Sequence, residues 1–140
     1  MMPADENCIF CKIAAGKIPC RKLFEDEYSL AFLDIEPASK GHALIIPKSH
    51  YPTLLDIPEM ELGRAIATVQ KVAAAAMKAL HADGFNLVQN NRKAAGQAVH
   101  HLHFHVVPRF EGDNVRLTLG SKGAMESELA EWEKKIKENI

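Results

Sequence analysis

Four of the chain's seven histidines fall between positions 100 and 105, in the run His100-His101-Leu102-His103-Phe104-His105-Val106-Val107. A strand sends successive side chains to opposite faces. His101, His103 and His105 therefore project to one side, and Leu102, Phe104 and Val106 to the other, toward a core. His100 falls on the apolar side, at an edge. Imidazole titrates near neutral pH, ligates metals and can attack phosphorus or carbon. Three imidazoles in strict alternation thus point to metal binding or to nucleophilic and acid–base catalysis. At about 7 Å between same-face positions the three cannot all reach one ion, which ranks a triad-held metal low.

Cys8-x-x-Cys11 is the second candidate. Such a pair serves redox chemistry when it follows a strand in a βαβ unit, but here it opens a short helix. As a zinc site it needs two more nitrogen or sulfur ligands, and His50 and His101 are the candidates. With three cysteines there is no disulfide framework, and Cys20 reads as a small apolar residue.

The elements that must position these groups follow from the apolar pattern. Cys8–Ala15 reads as a short helix stopped by Gly16 and Pro19. Lys22–Glu25, Ser29–Asp34, Gly41–Pro47, Phe85–Gln89 and Val99–Pro108 read as strands. Glu59–His81 is the long helix. Leu62, Ile66, Val69, Ala73, Met77 and Leu80 recur on one side of it, with Arg64, Lys71 and Lys78 on the other. Glu126–Asn139 closes the chain as a helix with Leu129, Trp132 and Ile136 on one face. Strands before and after one long helix imply an α+β fold, an antiparallel sheet with helices packed on it.

Composition bounds the rest. At 140 residues the chain is expected to form a single domain, 1–140. Seventeen basic against eighteen acidic residues leave a net charge of −1, which argues against nucleic-acid or anionic-membrane binding. The polar start Met1–Glu6 has no apolar run behind it, and no stretch reaches a membrane-spanning length, so a cytoplasmic location is expected.

The strand His101-Leu-His103-Phe-His105-Val-Val resembles the signature of the histidine triad (HIT) superfamily. Ile9-Phe10, Ile18-Pro19, Phe24-Glu25-Asp26, Ala31-Phe32-Leu33-Asp34, Gly41-His42 through Pro47-Lys48, and Gly96-Gln97 resemble the blocks of its nucleotide-binding branch, in the same order. The likeness covers about residues 7–109 and is nearest to bacterial-type members close to the Hint, or purine nucleoside phosphoramidase, branch. Residues 110–140 form an extension that no motif covers.

The resemblance implies a homodimer of the HIT fold that binds purine nucleoside monophosphates. It also implies an enzyme acting at the α-phosphate through a covalent nucleotidyl-histidine, with no catalytic metal. His103 would be the nucleophile, with His105, His42 and His101 completing the catalytic set. Nucleotide binding would fall to Ile9, Phe10, Ile18, Leu33, Asp34, Ile35, Asn90, Gly96, Gln97, His103 and His105. Asp34 would meet the ribose and Gln97 the phosphate. In relatives with the same cysteine pair, a structural zinc joins it to a histidine three residues after the Ile-Pro proline and to the first triad histidine. The matching ligands here are Cys8, Cys11, His50 and His101. In the implied dimer the Glu59–His81 helices pair, with Ala65, Ala73 and Ala76 permitting close packing. One departure is Ala98, where many relatives carry a serine that assists the leaving amine. A catalytically weak nucleotide-binding module thus stays open, and so does dinucleoside polyphosphate hydrolysis, since His105-Val-Val-Pro108-Arg109 resembles that branch of the family.

Overall fold

The computed structural model describes residues 4–117, 119–120 and 123–140; the start of the polar N-terminal segment, 1–3, lies outside the described residues. Five strands form one antiparallel sheet in the order β1-β2-β3-β5-β4. They are β1 (Lys22–Glu25), β2 (Ser29–Leu33), β3 (Ala43–Pro47), β4 (Gly84–Val88) and β5 (Phe104–Arg109). A short helix α1 (Ile9–Ala14), the long α2 (Glu59–Leu80) and the terminal α3 (Glu126–Lys137) complete the expected α+β fold. No helix among the described residues is long and apolar enough to cross a membrane.

Strand β3 explains the layering. Its residues Ala43, Leu44, Ile45 and Ile46 are all buried, because the sheet is covered on both sides at its centre. Ala43 and Ile45 join Ala31, Phe104 and Val106 under α2. Leu44 and Ile46 join Leu30 and Phe32 under Cys8, Phe10 and Cys11 of the α1 segment. The α1 side carries the chemistry and the α2 side the main core.

The long helix buries Ala65, Thr68, Val69, Val72 and Ala73, not the full stripe read from the larger residues. Ile66 is 40% exposed, and Ala65 and Ala73 lie in the chain's own core rather than on a free face. Small residues win these positions because β2 and β3 offer Ala31 and Ala43 opposite them, and close approach buries more area than a bulky stripe. Thr68 Oγ1 and Ser29 Oγ, 2.7 Å apart, pin the helix to β2. The helix ends one residue before the expected His81, which takes a left-handed conformation (φ 54°) and donates its N–H to Met77.

The last strand is shorter than the histidine run. It starts at Phe104, because ladder pairing with β3 begins only at Ile45 opposite Phe104. The chain before it is held otherwise, with Leu102 N–H donating to the Tyr51 carbonyl at 2.7 Å. The alternation survives: Leu102, Phe104 and Val106 are buried beneath α2.

Candidate active site and metal-ligand cluster

On the α1 side, the triad segment meets the start of β3. His101 and His103 are buried and His105 is half-buried, while His100 is exposed at the edge as its register requires. The rings lean together rather than standing a full two-residue repeat apart. Those of His103 and His105 lie 4.9 Å apart between centroids, and those of His105 and His42 5.2 Å.

The partners of each ring fix its tautomer. His103 Nδ1–H donates to the His101 carbonyl at 2.7 Å, so Nε2 carries the free lone pair. Ala38 N–H donates to His42 Nδ1 at 2.9 Å, so the neutral His42 ring holds its hydrogen on Nε2. That Nε2–H donates in turn to His105 Nδ1 at 2.9 Å, which leaves the His105 hydrogen on Nε2. Burial keeps all three rings neutral: it holds His103 and His42 below the ordinary histidine value and, with the neighbouring histidines, lowers His105 to about 4. The result is one bare imidazole nitrogen, on His103, flanked by a neutral N–H donor on His105.

Asp34 leaves β2 beside this set. Its Oδ2 lies 3.6 Å from His42 Nε2, its Oδ1 accepts from Glu36 N–H at 2.8 Å, and its N–H donates to the His42 carbonyl. Strand alternation separates its neighbours. Phe32 shares the α1 face and packs edge-on against Phe10, with centroids 5.8 Å apart. Leu33, expected as a wall of the base site, points the other way and lines a groove of about 500 Å³ with Phe24, Val72 and Leu80 of the α2 side. Leu33 is therefore corrected, and Phe32 is the aromatic that sequence reasoning missed; two-residue spacing from Asp34 would have found it. Phe10 is buried and Ile18 half-buried, whereas Ile9 is 48% and Ile35 90% exposed.

The loop before the triad is built around Gln97. Its Nε2 donates to the Pro52 and Val99 carbonyls at 2.7 and 3.0 Å, and its Oε1 accepts from Arg92 N–H at 2.6 Å. Both amide hydrogens are thus spent on the loop. The Arg92 N–H bond holds a non-glycine residue at φ 71°, a strained conformation that needs such support. The Asn90 carbonyl accepts from Gln89 Nε2, and Gly96 takes φ 88° with open space where a Cβ would stand.

The second cluster adjoins the first. His101 Nε2–H donates to the Pro47 carbonyl at 2.8 Å, which turns the Nδ1 lone pair toward Cys8 Sγ at 3.4 Å and Cys11 Sγ at 3.6 Å. His50 Nδ1 lies 3.3 Å from Cys11 Sγ. The four ligand atoms all fall within 4.8 Å of one another. Tetrahedral zinc with bonds of about 2.0–2.3 Å requires ligand–ligand edges of about 3.5 Å, and the three measured edges match. The thiolates have N–H donors waiting: Cys11 N–H to Cys8 Sγ and Asp5 N–H to Cys11 Sγ, both at 3.4 Å. Asp5 also stands 4.0 Å from His50 Nε2, where a carboxylate orients a ligating histidine. Burial raises the Cys11 thiol, the expected state of a close thiol pair before a cation takes the protons' place. His101 spends both ring nitrogens here, so in this geometry it orients and anchors and is not a proton relay.

Fold and site together define an α+β protein with three neutral histidines gathered beside a Cys₂His₂ cluster. The family model described as the HIT domain matches residues 15–112, and the chain belongs to that family. It is 50% identical over 105 residues to an adenosine 5′-monophosphoramidase of Saccharomyces cerevisiae, an alignment covering 75% of this chain and 64% of that protein's own length. The crystal structure of SMU.412c from Streptococcus mutans superposes with a TM-score of 0.94 at 41% identity, covering 100% of this chain and 89% of that one. A zinc-bound histidine triad family protein from Mycobacterium smegmatis superposes with a TM-score of 0.76 at 38% identity, covering 92% and 97%.

Proposed function

We propose that this protein hydrolyses purine nucleoside phosphoramidates at the α-phosphate through a nucleotidyl-His103 intermediate. The observation that carries the reading is the His103 Nδ1–H bond to the His101 carbonyl, which leaves Nε2 unprotonated. In the first step the Nε2 lone pair forms a bond to phosphorus as the phosphorus–nitrogen bond breaks, and the leaving amine takes up a proton from solvent as it departs. The His101 carbonyl then stabilises the positive charge that develops on the ring. The His105 Nε2–H donates toward the phosphoryl oxygens, and the His42–Ala38 chain keeps that hydrogen in place. In the second step water attacks phosphorus, its proton leaves to solvent, and the nucleoside monophosphate departs with His103 neutral again. Asp34 is the carboxylate placed to accept from ribose hydroxyls, and Phe10 and Phe32 form the apolar wall for the base. Gln97 holds the phosphate-side loop in shape.

The yeast relative's activity supports the phosphoramidate class of substrate. The test is release of AMP from adenosine 5′-phosphoramidate, with a nucleotidyl adduct sought by mass spectrometry after acid-free quenching. His103→Asn should lose turnover by at least ~10³-fold while still binding AMP. Undiminished turnover in that variant refutes the reading.

Zinc is the metal the donor set suits, held by Cys8, Cys11, His50 and His101, and it would supply a structural cross-link between α1, the loop after β3 and the triad segment. A homodimer is the assembly the surface suits. Edge strand β4 exposes Phe85 (44%) and Leu87 (47%), paired across from Pro108 and Val106 on the α2 side. An apolar edge of that kind invites a second strand. Phe85→Lys with Leu87→Lys should convert the protein to a monomer in sedimentation at micromolar concentration; a dimer that survives both changes places the interface elsewhere.

A further inference from the structure

Phe10 lies between the two cysteines in the chain and against two histidines in space. Its ring meets His101 edge-on at 5.8 Å and His103 edge-on at 5.1 Å between centroids. It belongs to α1, six residues long, too short to hold its own shape and fastened to the sheet through the side chains of Cys8, Phe10 and Cys11. His101 joins the same two sites by a second route. Its ring is gripped by the Pro47 carbonyl at one end and faces the thiols at the other, and its backbone carbonyl is the acceptor that orients His103.

We propose that a metal ion on Cys8, Cys11, His50 and His101 and a nucleotide at His103 tighten each other's binding, with Phe10 and the His101 peptide carrying the coupling. The inference rests on the nucleotide reading above. A cation on the four ligands ties α1 to the loop after β3 and to the triad segment at once. Phe10 is then clamped against one side of the His103 ring. Without the cation the clamp relaxes, and a nucleotide must order Phe10 and His103 as it binds. Whatever factor the metal gains for the nucleotide, the nucleotide must give back to the metal, since the coupling free energy is shared.

Two titrations read it. AMP affinity is measured by calorimetry on zinc-loaded and chelator-stripped protein, and zinc affinity by competition with a chelating dye, with and without AMP. Each ratio should be about tenfold, and the two should agree. Phe10→Leu should still bind one zinc but bring both ratios toward one. That arm separates positioning from mere structural support, which would lower the melting temperature of the stripped protein yet leave the ratios indifferent to Phe10. The dye competition starts from loaded protein, so it reads the coupling even where stripping unfolds the chain. In ¹⁵N-histidine spectra the His103 Nδ1–H signal should be sharp in the loaded protein and lost to solvent exchange in the stripped one. Ratios of one in a protein that binds both ligands overturn the proposal, as do ratios unchanged by Phe10→Leu, or no zinc uptake. Failure of AMP to bind either form instead overturns the nucleotide reading itself.

Discussion

Gly41 sits where the chain turns into β3, one residue before His42, with φ at 84°. A side chain there faces two separate penalties. The left-handed conformation costs an L-residue about 1–2 kcal/mol. A Cβ would also overlap Leu80 Cδ1 at the end of α2 and touch Pro108 Cγ at 3.5 Å. Leu80 is half-buried and lines an open groove, so its free end can turn aside for roughly 1 kcal/mol, the cost of an off-rotamer side chain. Alanine recovers about 0.4–1 kcal/mol by restricting the unfolded chain. The net expectation for Gly41→Ala is a loss of about 1–2 kcal/mol, or roughly 3–7 °C in melting temperature at this chain length. Gly16→Ala is the internal control: φ is 77° but nothing lies within 4 Å, so only the conformational cost applies, about 1 kcal/mol. Adding Leu80→Ala to Gly41→Ala should return about 1 kcal/mol as a favourable coupling in a double-mutant cycle. Urea unfolding followed by circular dichroism measures the wild type and the four variants, Leu80→Ala alone included. If Gly41→Ala is no worse than Gly16→Ala, the contact between the β3 entry and the end of α2 does not hold His42 in register, and the account of that corner fails.

Three further outcomes follow from the site and its surroundings. His42 and His105 are neutral in the fold because of burial, so the unfolded chain takes up their protons first as pH falls. Stability should be level above pH 6.5 and drop between 6.5 and about 4, by up to about 1.4 kcal/mol per pH unit for each proton, and replacing both residues with Gln should reduce the drop but not abolish it, since burial also holds His101 and His103 low. Asp34→Asn should weaken AMP binding by about tenfold in calorimetry, the cost of losing a charged acceptor, with little change in melting temperature. Arg109 binds Asp113 through two nitrogens and also reaches the Val115 carbonyl and Asn86 Oδ1; Arg109→Ala should speed hydrogen exchange at Val115 N–H while leaving β5 amides protected.

The sequence carried the site further than it carried the packing. Alternation alone placed His101, His103 and His105 opposite Leu102, Phe104 and Val106, and that face division holds even where the ladder does not. It could not say where pairing starts, since that depends on a partner strand ending at Pro47, sixty residues away in the chain. The α2 stripe held in part for a related reason. Val69 and Ala73 are in the core and Leu62 packs against it, but Ile66 is 40% exposed, because the close approach to Ala31 and Ala43 brings Ala65 inward instead. Leu33 and Phe32 were confused because block resemblance carries no phase; the two-residue repeat from Asp34 does. A backbone carbonyl holding His103 was foreseeable from the family resemblance, but the partners of His42 and His101 were not. The Ala38 N–H and the Pro47 carbonyl are backbone groups, and no residue type encodes them.

Those backbone groups decide what each imidazole does. Four histidines crowd one corner, and by side chain alone they are interchangeable. His103 donates to a carbonyl through Nδ1 and keeps a lone pair at Nε2, the atom proposed above as the nucleophile. His101 donates to a carbonyl through Nε2 and turns its Nδ1 lone pair toward Cys8 and Cys11, where it would serve a metal. His42 accepts a backbone N–H at Nδ1 and so becomes a donor at Nε2, which makes His105 an acceptor at one nitrogen and a donor at the other. Each ring keeps one free nitrogen or one free hydrogen, and its direction is set by a peptide group for His42, His101 and His103 and by the His42 ring for His105. The assignment also requires neutral rings, because a protonated imidazole presents hydrogens at both nitrogens and loses the distinction. Burial therefore has a chemical consequence beyond stability: by holding these rings neutral, it keeps the four roles distinct.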